Sequence, residues 1–306
     1  MFSIVIPLYN KQHTIGKTLA SVVQQEYKNF EVLIINDGST DQSLKVVGTF
    51  SDSRIKIIST ENTGVSAARN LGLKHAQYQW LSFLDADDWW DVKYLSSMVS
   101  LIHKFPDHSI FAIGRTHVFQ TYEKRYCNKF LPTEVEVGVL DHFQIISEGL
   151  PAVHTCSTIF KRSLFKIVVP FKIGMEQHED HELWMRLGVS NPILFLNSPL
   201  AFYNKQNEHT ASSKPLSAID FQQMIATIKE VNVKISAAQK VAFRKYYRRF
   251  IVFSFLKYKK RYSAKERLSI VKQVRPLLYP WDLWLLRIPS FMPLASLYRL
   301  LKNTNT

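Results

Sequence analysis

Short apolar segments alternate with amphipathic helices over the first hundred residues, and this alternation limits the fold more than any other feature. Apolar runs predict strands at Ser3–Leu8, Glu31–Ile35, Arg54–Ser59 and Trp80–Leu84. The spacing of apolar residues predicts helices at Thr14–Gln25, Ser39–Phe50, Gly64–Ala76 and Lys93–Phe105. Strands that alternate with helices form parallel βαβ units, so we expect an α/β fold with a mostly parallel sheet flanked by helices.

The pattern changes along the rest of the chain. Residues 109–214 are less regular, and the elements predicted there are strands at Ser109–Phe119, Thr155–Lys161 and Ile193–Tyr203 and helices at Asp141–Gly149 and Glu179–Leu187. From residue 215 the composition becomes helical, basic and aromatic. We therefore expect an α/β domain over residues 1–214 and a basic α-helical region over residues 215–306.

Composition excludes several classes of protein. A hydrophobic fraction of 46% with 20 Phe residues excludes a disordered chain. Two cysteines exclude a disulfide framework. No apolar run reaches the roughly 20 residues of a membrane span. The N-terminal segment is predicted to be a strand rather than a signal peptide, so a cytoplasmic location is expected.

Polar side chains cluster where the predicted strands end. Tyr9 and Asn10 follow the first strand, Asp37 follows the second, and Asp85-Ala86-Asp87-Asp88 follows the fourth. Ligands bind at the carboxyl ends of parallel strands, so these residues are candidates for one site. Two carboxylates one residue apart can hold Mg²⁺ or Mn²⁺, although a solvated acidic turn has the same pattern. Asp37 likewise fits either a ligand contact or an Asp-Gly-Ser turn.

Two further charged segments stand beside predicted helices. Arg69 lies in a helix whose N-terminus favours anions, and it would either reach a phosphate or pair with a carboxylate. Glu179 and Asp180 begin an amphipathic helix, where a carboxylate is either a general base or a favourable first-turn charge. His178 and His181 flank the two acids, either lining a substrate site or lying exposed.

Taken together, these segments resemble the inverting family 2 glycosyltransferases of GT-A (Rossmann-like) fold. The resemblance is carried over residues 1–214 by SIVIPLYN, EVLIINDGSTD, NTGVSAARNLGL, LSFLDADDWW and EDHELWMRL. It implies that Pro7, Tyr9 and Asn10 belong to the nucleotide-binding segment, with Tyr9 stacking on the base. It also implies that Asp37 accepts a hydrogen bond from the base, which suits uracil or thymine, and that Arg69 lies near the pyrophosphate.

The resemblance assigns the remaining acids to a metal site and to catalysis. Asp85 and Asp87 would form the DXD pair that holds Mg²⁺ or Mn²⁺, with Asp87 the firmer ligand and Asp85 an alternative ribose contact. Asp88 would either contact the donor sugar or support the metal ligands from the layer of residues behind them. Asp180 would be the catalytic base, supported by Glu179.

One late motif departs from the family pattern. Many members carry Tyr-Arg-x-His after the last strand, whereas this chain has Asn204 and Gln206 in place of the Arg and the His. The neighbouring Lys205 and His209 would then substitute, Lys205 toward the donor and His209 toward the metal.

The function that the resemblance implies is inverting transfer of a sugar, favouring a UDP-sugar donor, to a hydroxyl of a glycan or lipid-linked acceptor. Such an enzyme would serve the synthesis of cell-surface or extracellular polysaccharide. The alternative is a scaffold that binds a nucleotide sugar within a synthesis complex. A nucleotidyltransferase is less consistent with the sequence, because the Gly-rich N-terminal loop containing Lys is absent.

The C-terminal region carries the excess charge. The formal net charge is +14, and residues 215–306 hold 18 Lys and Arg against 4 Asp and Glu. Basic helices with interleaved aromatic residues bind anionic membranes, so we expect peripheral association with the cytoplasmic face of the cell membrane. Alternatively, these helices pack on the first domain or on a second copy in a homodimer. Nucleic acid is not expected as a partner, because no binding motif is present.

Overall fold

The computed structural model describes residues 1–206 and 216–287. Their strands form one sheet in the order β3-β2-β1-β4-β9-β6-β10-β5, with β7 paired to β6 and β8 to β10. The strands are β1 Phe2–Leu8, β2 Phe30–Asp37, β3 Ile55–Thr60, β4 Trp80–Phe83, β5 Trp89–Trp90, β6 Ile110–Val118, β7 Glu123–Arg125, β8 Val137–Leu140, β9 Thr158–Lys161 and β10 Ile193–Asn204.

Helices cover both faces of this sheet, as the α/β pattern predicts. In the first two thirds of the chain they are α1 Ile15–Val23, α2 Ser43–Val47, α3 Val65–His75, α4 Tyr94–Lys104, α5 His142–Glu148, α6 Leu164–Ile167 and α7 Glu179–Gly188. One apolar cluster joins β1 and β2 to α1 and α4, and a second joins the opposite side of the sheet to α3 and α7. The expected fold class is confirmed.

The sheet is parallel in its first half and mixed in its second. Strand β1 pairs in parallel with β2 and β4, and β2 pairs in parallel with β3. Strand β9 then runs antiparallel between β4 and β6, whereas β10 is parallel to β6. Because β1 lies between β2 and β4, the carboxyl ends of all three strands open onto one edge of the sheet.

The second helix is shorter than predicted. α2 begins at Ser43, although Ser39 and Gln42 have the spacing of a capping box. The Ser39 hydroxyl instead accepts the backbone N–H of Asn10 at 3.2 Å. The Asp41 carboxylate accepts the backbone N–H of Ser43 at 2.9 Å. The segment before α2 therefore joins the loops that follow β1 and β2.

Four helices make up the described part of the C-terminal region. They are α8 Ala218–Lys234, α9 Ala237–Tyr258, α10 Ala264–Val274 and α11 Pro280–Leu285. Ser263 and Glu266 form a capping box at the start of α10, as their spacing predicts. Among residues 1–206 and 216–287, no helix is both long enough and apolar enough to cross a bilayer.

These helices pack against the α/β part of the chain. Phe143 of α5 and Phe243 of α9 meet edge to face with their ring centroids 4.9 Å apart. Lys245 of α9 forms an ion pair with Glu148 at 2.7 Å. Packing on the first domain, one of the alternatives for this region, is thus observed. The predicted boundary at residue 214 lies outside the described residues, and the division into two domains stays a prediction.

Candidate active site

The Asp85–Asp88 loop leaves β4 at the edge where the parallel strands end. Asp85 accepts a hydrogen bond from Thr155 Oγ1 at 3.0 Å and pairs with Arg69 at 2.7 Å. Burial raises the pKa of Asp85, but the charge of Arg69 and the two hydrogen bonds outweigh it, so the net pKa is lowered. Asp85 is therefore a carboxylate at neutral pH, as a cation ligand or ribose contact requires.

Arg69 joins this loop to the first turn of α7. Its guanidinium donates to Asp85 Oδ1 and to Glu179 Oε1, both at 2.7 Å, and its side chain is 4% exposed. In the described part of the chain its Nε has no hydrogen-bond partner. Burial lowers the pKa of Arg69, but the two carboxylates raise it above its ordinary value. Arg69 thus pairs with carboxylates, one of its two predicted arrangements.

Glu179 and Asp180 occupy different environments. The pKa of Glu179 is raised to about 7, chiefly by burial; the charge of Arg69 opposes this rise and the charge of Asp180 adds to it. Asp180 is partly buried, and its Oδ1 accepts the backbone N–H of His181 at 2.6 Å. Asp180 forms no ion pair with another described residue. Of the two acids, Asp180 is therefore the one whose charge is not taken up by Arg69.

Asp87 carries an ion pair that sequence analysis missed. Its carboxylate pairs with Lys11 Nζ, and its side chain is 15% exposed. Lys11 is fixed by its backbone N–H, which donates to Ser43 Oγ at 2.8 Å. The ammonium of Lys11 therefore occupies part of the space around the carboxylate expected to bind the metal. The position of Lys11 directly after Tyr9 and Asn10 in the chain is the signal that could have identified it.

Asp88 lies beneath the loop rather than at its surface. It is fully buried, and its Oδ1 accepts the backbone N–H of Asn204 at 2.8 Å. Burial, with the nearby charges of Asp87 and Asp85, raises its pKa well above the ordinary range. The buried Asp88 fixes the loop to β10, and its expected contact with the donor sugar stays a prediction.

Asp88, His154 and Cys156 form a second group of polar atoms that was not foreseen. One potential ligand atom from each lies within 4.8 Å of the others. Cys156 Sγ is 3.1 Å from His154 Nδ1, and the same nitrogen accepts the Cys156 backbone N–H at 3.3 Å. The thiol and imidazole favour a softer metal than Mg²⁺. His154 Nδ1 already has these two contacts within the cluster, whereas Asp88 Oδ2 has no hydrogen-bond partner among the described residues.

The hard carboxylate oxygens of the DXD loop fit Mg²⁺ or Mn²⁺ better. Asp87 is partly exposed and, unlike Asp85, accepts no hydrogen bond from a neutral group in the described residues. Asp87, with Asp85 beside it, therefore provides the donor set expected for such an ion. His209, predicted as a further ligand, lies outside the described residues.

The expected nucleotide-binding residues lie at the same edge of the sheet. Pro7 is partly buried in β1, and Tyr9 after it is 46% exposed. Asn10 has a left-handed backbone with φ 50°, and its Oδ1 accepts the N–H groups of Thr40 and Asp41 at 2.9 and 3.3 Å. An exposed ring at the switch point of a parallel sheet is suited to stacking on a base.

Asp37 is held from both sides by backbone donors. Its Oδ1 accepts the N–H of Thr63 at 2.8 Å, and its Oδ2 accepts the N–H of Gly64 at 2.9 Å. These bonds tie the end of β2 to the start of α3. A carboxylate oxygen accepts more than one hydrogen bond, so these two bonds leave Asp37 able to accept another from the base. The expected contact with the base stays a prediction.

Lys205 lies beyond β10 on the other side of the loop. Its Nζ is 4.4 Å from the centre of the Tyr203 ring. Burial lowers the pKa of Lys205, Asp88 opposes this shift, and Arg115 adds to it. Its assignment to the donor also stays a prediction.

The structure thus gathers Lys11, Asp85 and Asp87 with Arg69 and Glu179, while Asp37 and Tyr9 lie on neighbouring loops.

Comparison with known proteins agrees with this architecture. The family described as Glycosyl transferase family 2 matches residues 3–168, more than half of the chain. The fold and the acidic loop define a glycosyltransferase of the GT-A type. The chain belongs to glycosyl transferase family 2.

Two curated relatives and one solved structure show the range of similarity. Glycosyltransferase GlyA of Streptococcus pneumoniae is 30% identical over 212 residues, which cover 66% of this chain and 30% of GlyA. WfgD of Escherichia coli, a UDP-Glc:alpha-D-GlcNAc-diphosphoundecaprenol beta-1,3-glucosyltransferase, is 29% identical over 198 residues, which cover 64% of this chain and 73% of WfgD. Staphylococcus aureus TarS 1–349 in complex with UDP-GlcNAc has a TM-score of 0.73 at 21% identity, covering 90% of this chain and 80% of that one. At that identity the structural likeness supports the fold alone.

Proposed function

We propose that this chain is an inverting glycosyltransferase that moves a sugar from a UDP-sugar to a hydroxyl of a lipid-linked glycan acceptor in the synthesis of surface polysaccharide. The observation that carries the proposal is the bridge made by Arg69. It joins the acidic loop at Asp85 to Glu179, the neighbour of the proposed base Asp180, across 110 residues of sequence. The bridge brings the loop proposed to bind the donor next to the turn that carries the proposed base, which supports the proposal.

The chemistry follows from the positions of the charges. Asp180 takes the proton from the acceptor hydroxyl as that oxygen forms a bond to C1 of the donor sugar. The bond from C1 to the diphosphate breaks, and its electron pair leaves with UDP. One displacement inverts the anomeric carbon, and Glu179 is not free to act as a nucleophile because it pairs with Arg69.

A divalent cation belongs to this proposal. Asp87, together with Asp85, would hold Mg²⁺ or Mn²⁺, which offsets negative charge on the departing diphosphate. The protein itself orients the site, since Arg69 fixes the carboxylate of Asp85 and Lys11 balances the negative charge of Asp87.

Replacement of the base tests the proposal directly. Release of UDP from UDP-glucose and UDP-N-acetylglucosamine is measured with and without acceptor, and donor binding is measured by thermal shift. In Asp180→Asn, turnover should fall by about a thousandfold or more while the donor-induced shift persists, since the general base is lost but the donor site is not. Glu176→Gln, an exposed acid four residues earlier, is the matched control.

The outcomes separate the proposal from its alternatives. A wild-type protein that binds the donor but never releases UDP would be a scaffold that binds nucleotide sugars. Release of pyrophosphate instead of UDP would indicate a nucleotidyltransferase. An Asp180→Asn variant with full turnover would contradict the assignment of the base.

We also propose that the chain works at the cytoplasmic face of the cell membrane. Trp284 of α11 is 65% exposed and Leu268 of α10 is 73% exposed. The exposed Lys265 and Lys272 lie on α10, three residues before and four residues after Leu268. Exposed Trp and Leu beside Lys residues suit an anionic interface, where the acceptor lipid would be found.

A further inference from the structure

One face of α9 runs past the first turn of α7, where the proposed base lies. Tyr246, Phe250, Phe253 and Lys257 are spaced by four, three and four residues, which places them on one side of the helix. The Phe250 ring meets the His178 ring edge to face, with centroids 5.5 Å apart and planes at 88°. Tyr246 stacks on Phe250 at 6.0 Å. This side of α9 therefore faces the residues that begin α7.

The same face of α9 lies within electrostatic range of Asp180. Burial raises the pKa of Tyr246, and the charge of Asp180 raises it further. The pKa of His178 is lowered to about 4, chiefly by burial. The charges of His181 and Lys257 lower it as well, and the charge of Asp180 opposes them. Tyr246 is thus within electrostatic reach of the proposed base Asp180, and Lys257 is within electrostatic reach of His178.

The chemistry of this face suits one kind of ligand. An aromatic pair takes the apolar C–H side of a sugar ring, and the Tyr hydroxyl offers a hydrogen bond to its edge. Lys257 is exposed, and an ammonium is a point charge suited to phosphate. Phe250 and Lys257 are seven residues apart, about 10 Å along a helix. That distance accommodates one sugar ring and the phosphate on its anomeric carbon.

We propose that this face of α9 is the acceptor-binding wall of the site, and that the acceptor is a sugar with a phosphate or diphosphate at its anomeric carbon. The sugar ring lies against Tyr246 and Phe250 with one hydroxyl directed at Asp180. Its anionic group lies toward Lys257. This inference rests on the proposed glycosyl transfer and adds the acceptor class and the residues that select it.

The test compares two acceptors that differ only in charge. One is N-acetylglucosaminyl diphosphate on a long alkyl chain, and the other is the uncharged alkyl N-acetylglucosaminide. Each is titrated with whichever of UDP-glucose and UDP-N-acetylglucosamine the wild-type chain uses. The wild type should have a lower KM for the charged acceptor than for the uncharged one. Lys257→Gln should reduce the ratio of the two KM values by about tenfold, the effect of one lost hydrogen bond to a charged group.

A second variant tests the aromatic part of the wall. Tyr246→Phe keeps the ring and removes the hydroxyl, so the KM for both acceptors should rise severalfold more than kcat falls. Lys240→Gln and Tyr247→Phe are matched controls on the same helix, since Lys240 is exposed and Tyr247 interacts with Arg244 instead. Thermal melting of each variant confirms that the chain is folded.

The results distinguish this inference from the proposed function. Preference for the uncharged acceptor, or an unchanged KM difference in Lys257→Gln, would overturn the acceptor assignment while glycosyl transfer stands. A wild-type chain that releases no UDP from either donor with either acceptor would overturn the proposed function itself.

Discussion

The ammonium of Lys11 forms an ion pair with the carboxylate of Asp87, the residue that the sequence predicts to bind a divalent cation. A lysine and a metal ion would compete for the same oxygens. The pair therefore balances the acidic loop when no other cation is bound, and it must loosen for Asp87 to coordinate a metal fully.

Removing this lysine should strengthen metal binding. We expect Lys11→Met to lower the Mn²⁺ concentration that gives half-maximal activity by about tenfold, because a competing cation is lost. Titration of Mn²⁺ into chelator-treated protein measures this, with Lys45→Met on the exposed surface of α2 as control. An unchanged or higher Mn²⁺ requirement would show that Lys11 does not compete at Asp87.

Removing Arg69 should destabilise the fold. Arg69→Ala removes the buried cation and leaves the partly buried carboxylates of Asp85 and Glu179 without their partner, which costs about 3 kcal/mol of unfolding free energy. Urea denaturation measures the loss. The exposed pair of Lys234 and Glu230 is the comparison, because Lys234→Ala should change stability by about 0.5 kcal/mol or less. Equal losses in the two variants would refute the role given to Arg69.

Glu179 should make stability depend on pH. Burial raises its pKa from 4.5 to about 7, so between these values the folded chain holds a proton that the unfolded chain has released. The unfolding free energy therefore falls as pH rises through this window and levels off above it.

Glu179→Gln isolates this contribution, because an amide does not titrate there. From about pH 5 to about pH 8 the wild type should lose up to roughly 3 kcal/mol relative to the variant. Urea denaturation at both pH values measures the difference. A relative stability that is constant with pH, or that favours the wild type at the higher pH, would contradict the raised pKa.

Membrane binding should depend on the exposed indole of α11. We expect Trp284→Ala to lower the partition coefficient onto anionic phospholipid vesicles by about tenfold, because it removes a large interfacial side chain. Sedimentation with vesicles measures the bound fraction, and high salt should release the wild type. Val233→Ser, which changes an 82% exposed residue of α8, is the control. Equal loss in both variants would argue against a specific contact.

Local patterns were enough to predict the elements of the first hundred residues. The predicted strand at Trp80–Leu84 is observed as Trp80–Phe83, and the helix at Gly64–Ala76 as Val65–His75. Periodicity succeeds here because buried strands and amphipathic helices are selected by neighbours a few residues apart. The acidic motifs identified the family for the same reason, since each is contained within a short segment.

Prediction failed where the partner of a residue lies far away in the sequence. The helix expected from Ser39 starts later because Ser39 binds Asn10, and the sequence showed no partner for Asp87 although Lys11 holds it. Packing of the C-terminal helices on the first domain was one of the predicted alternatives, but the sequence did not show which residues would meet. Their packing on α5 depends on contacts such as Phe143 with Phe243, separated by a hundred residues of chain.

The amino-acid sequence by itself determined the strand–helix alternation, the acidic loop and the family, because these reside in local order and spacing. Only the tertiary structure decided which charges meet: Arg69 with Glu179, Lys11 with Asp87, and the face of α9 with the start of α7. The physical reason is that charge pairing and burial depend on distance in space, which packing of the whole chain sets. Those pairings, rather than the motifs alone, set the pKa of Glu179 and leave Asp180 free of Arg69.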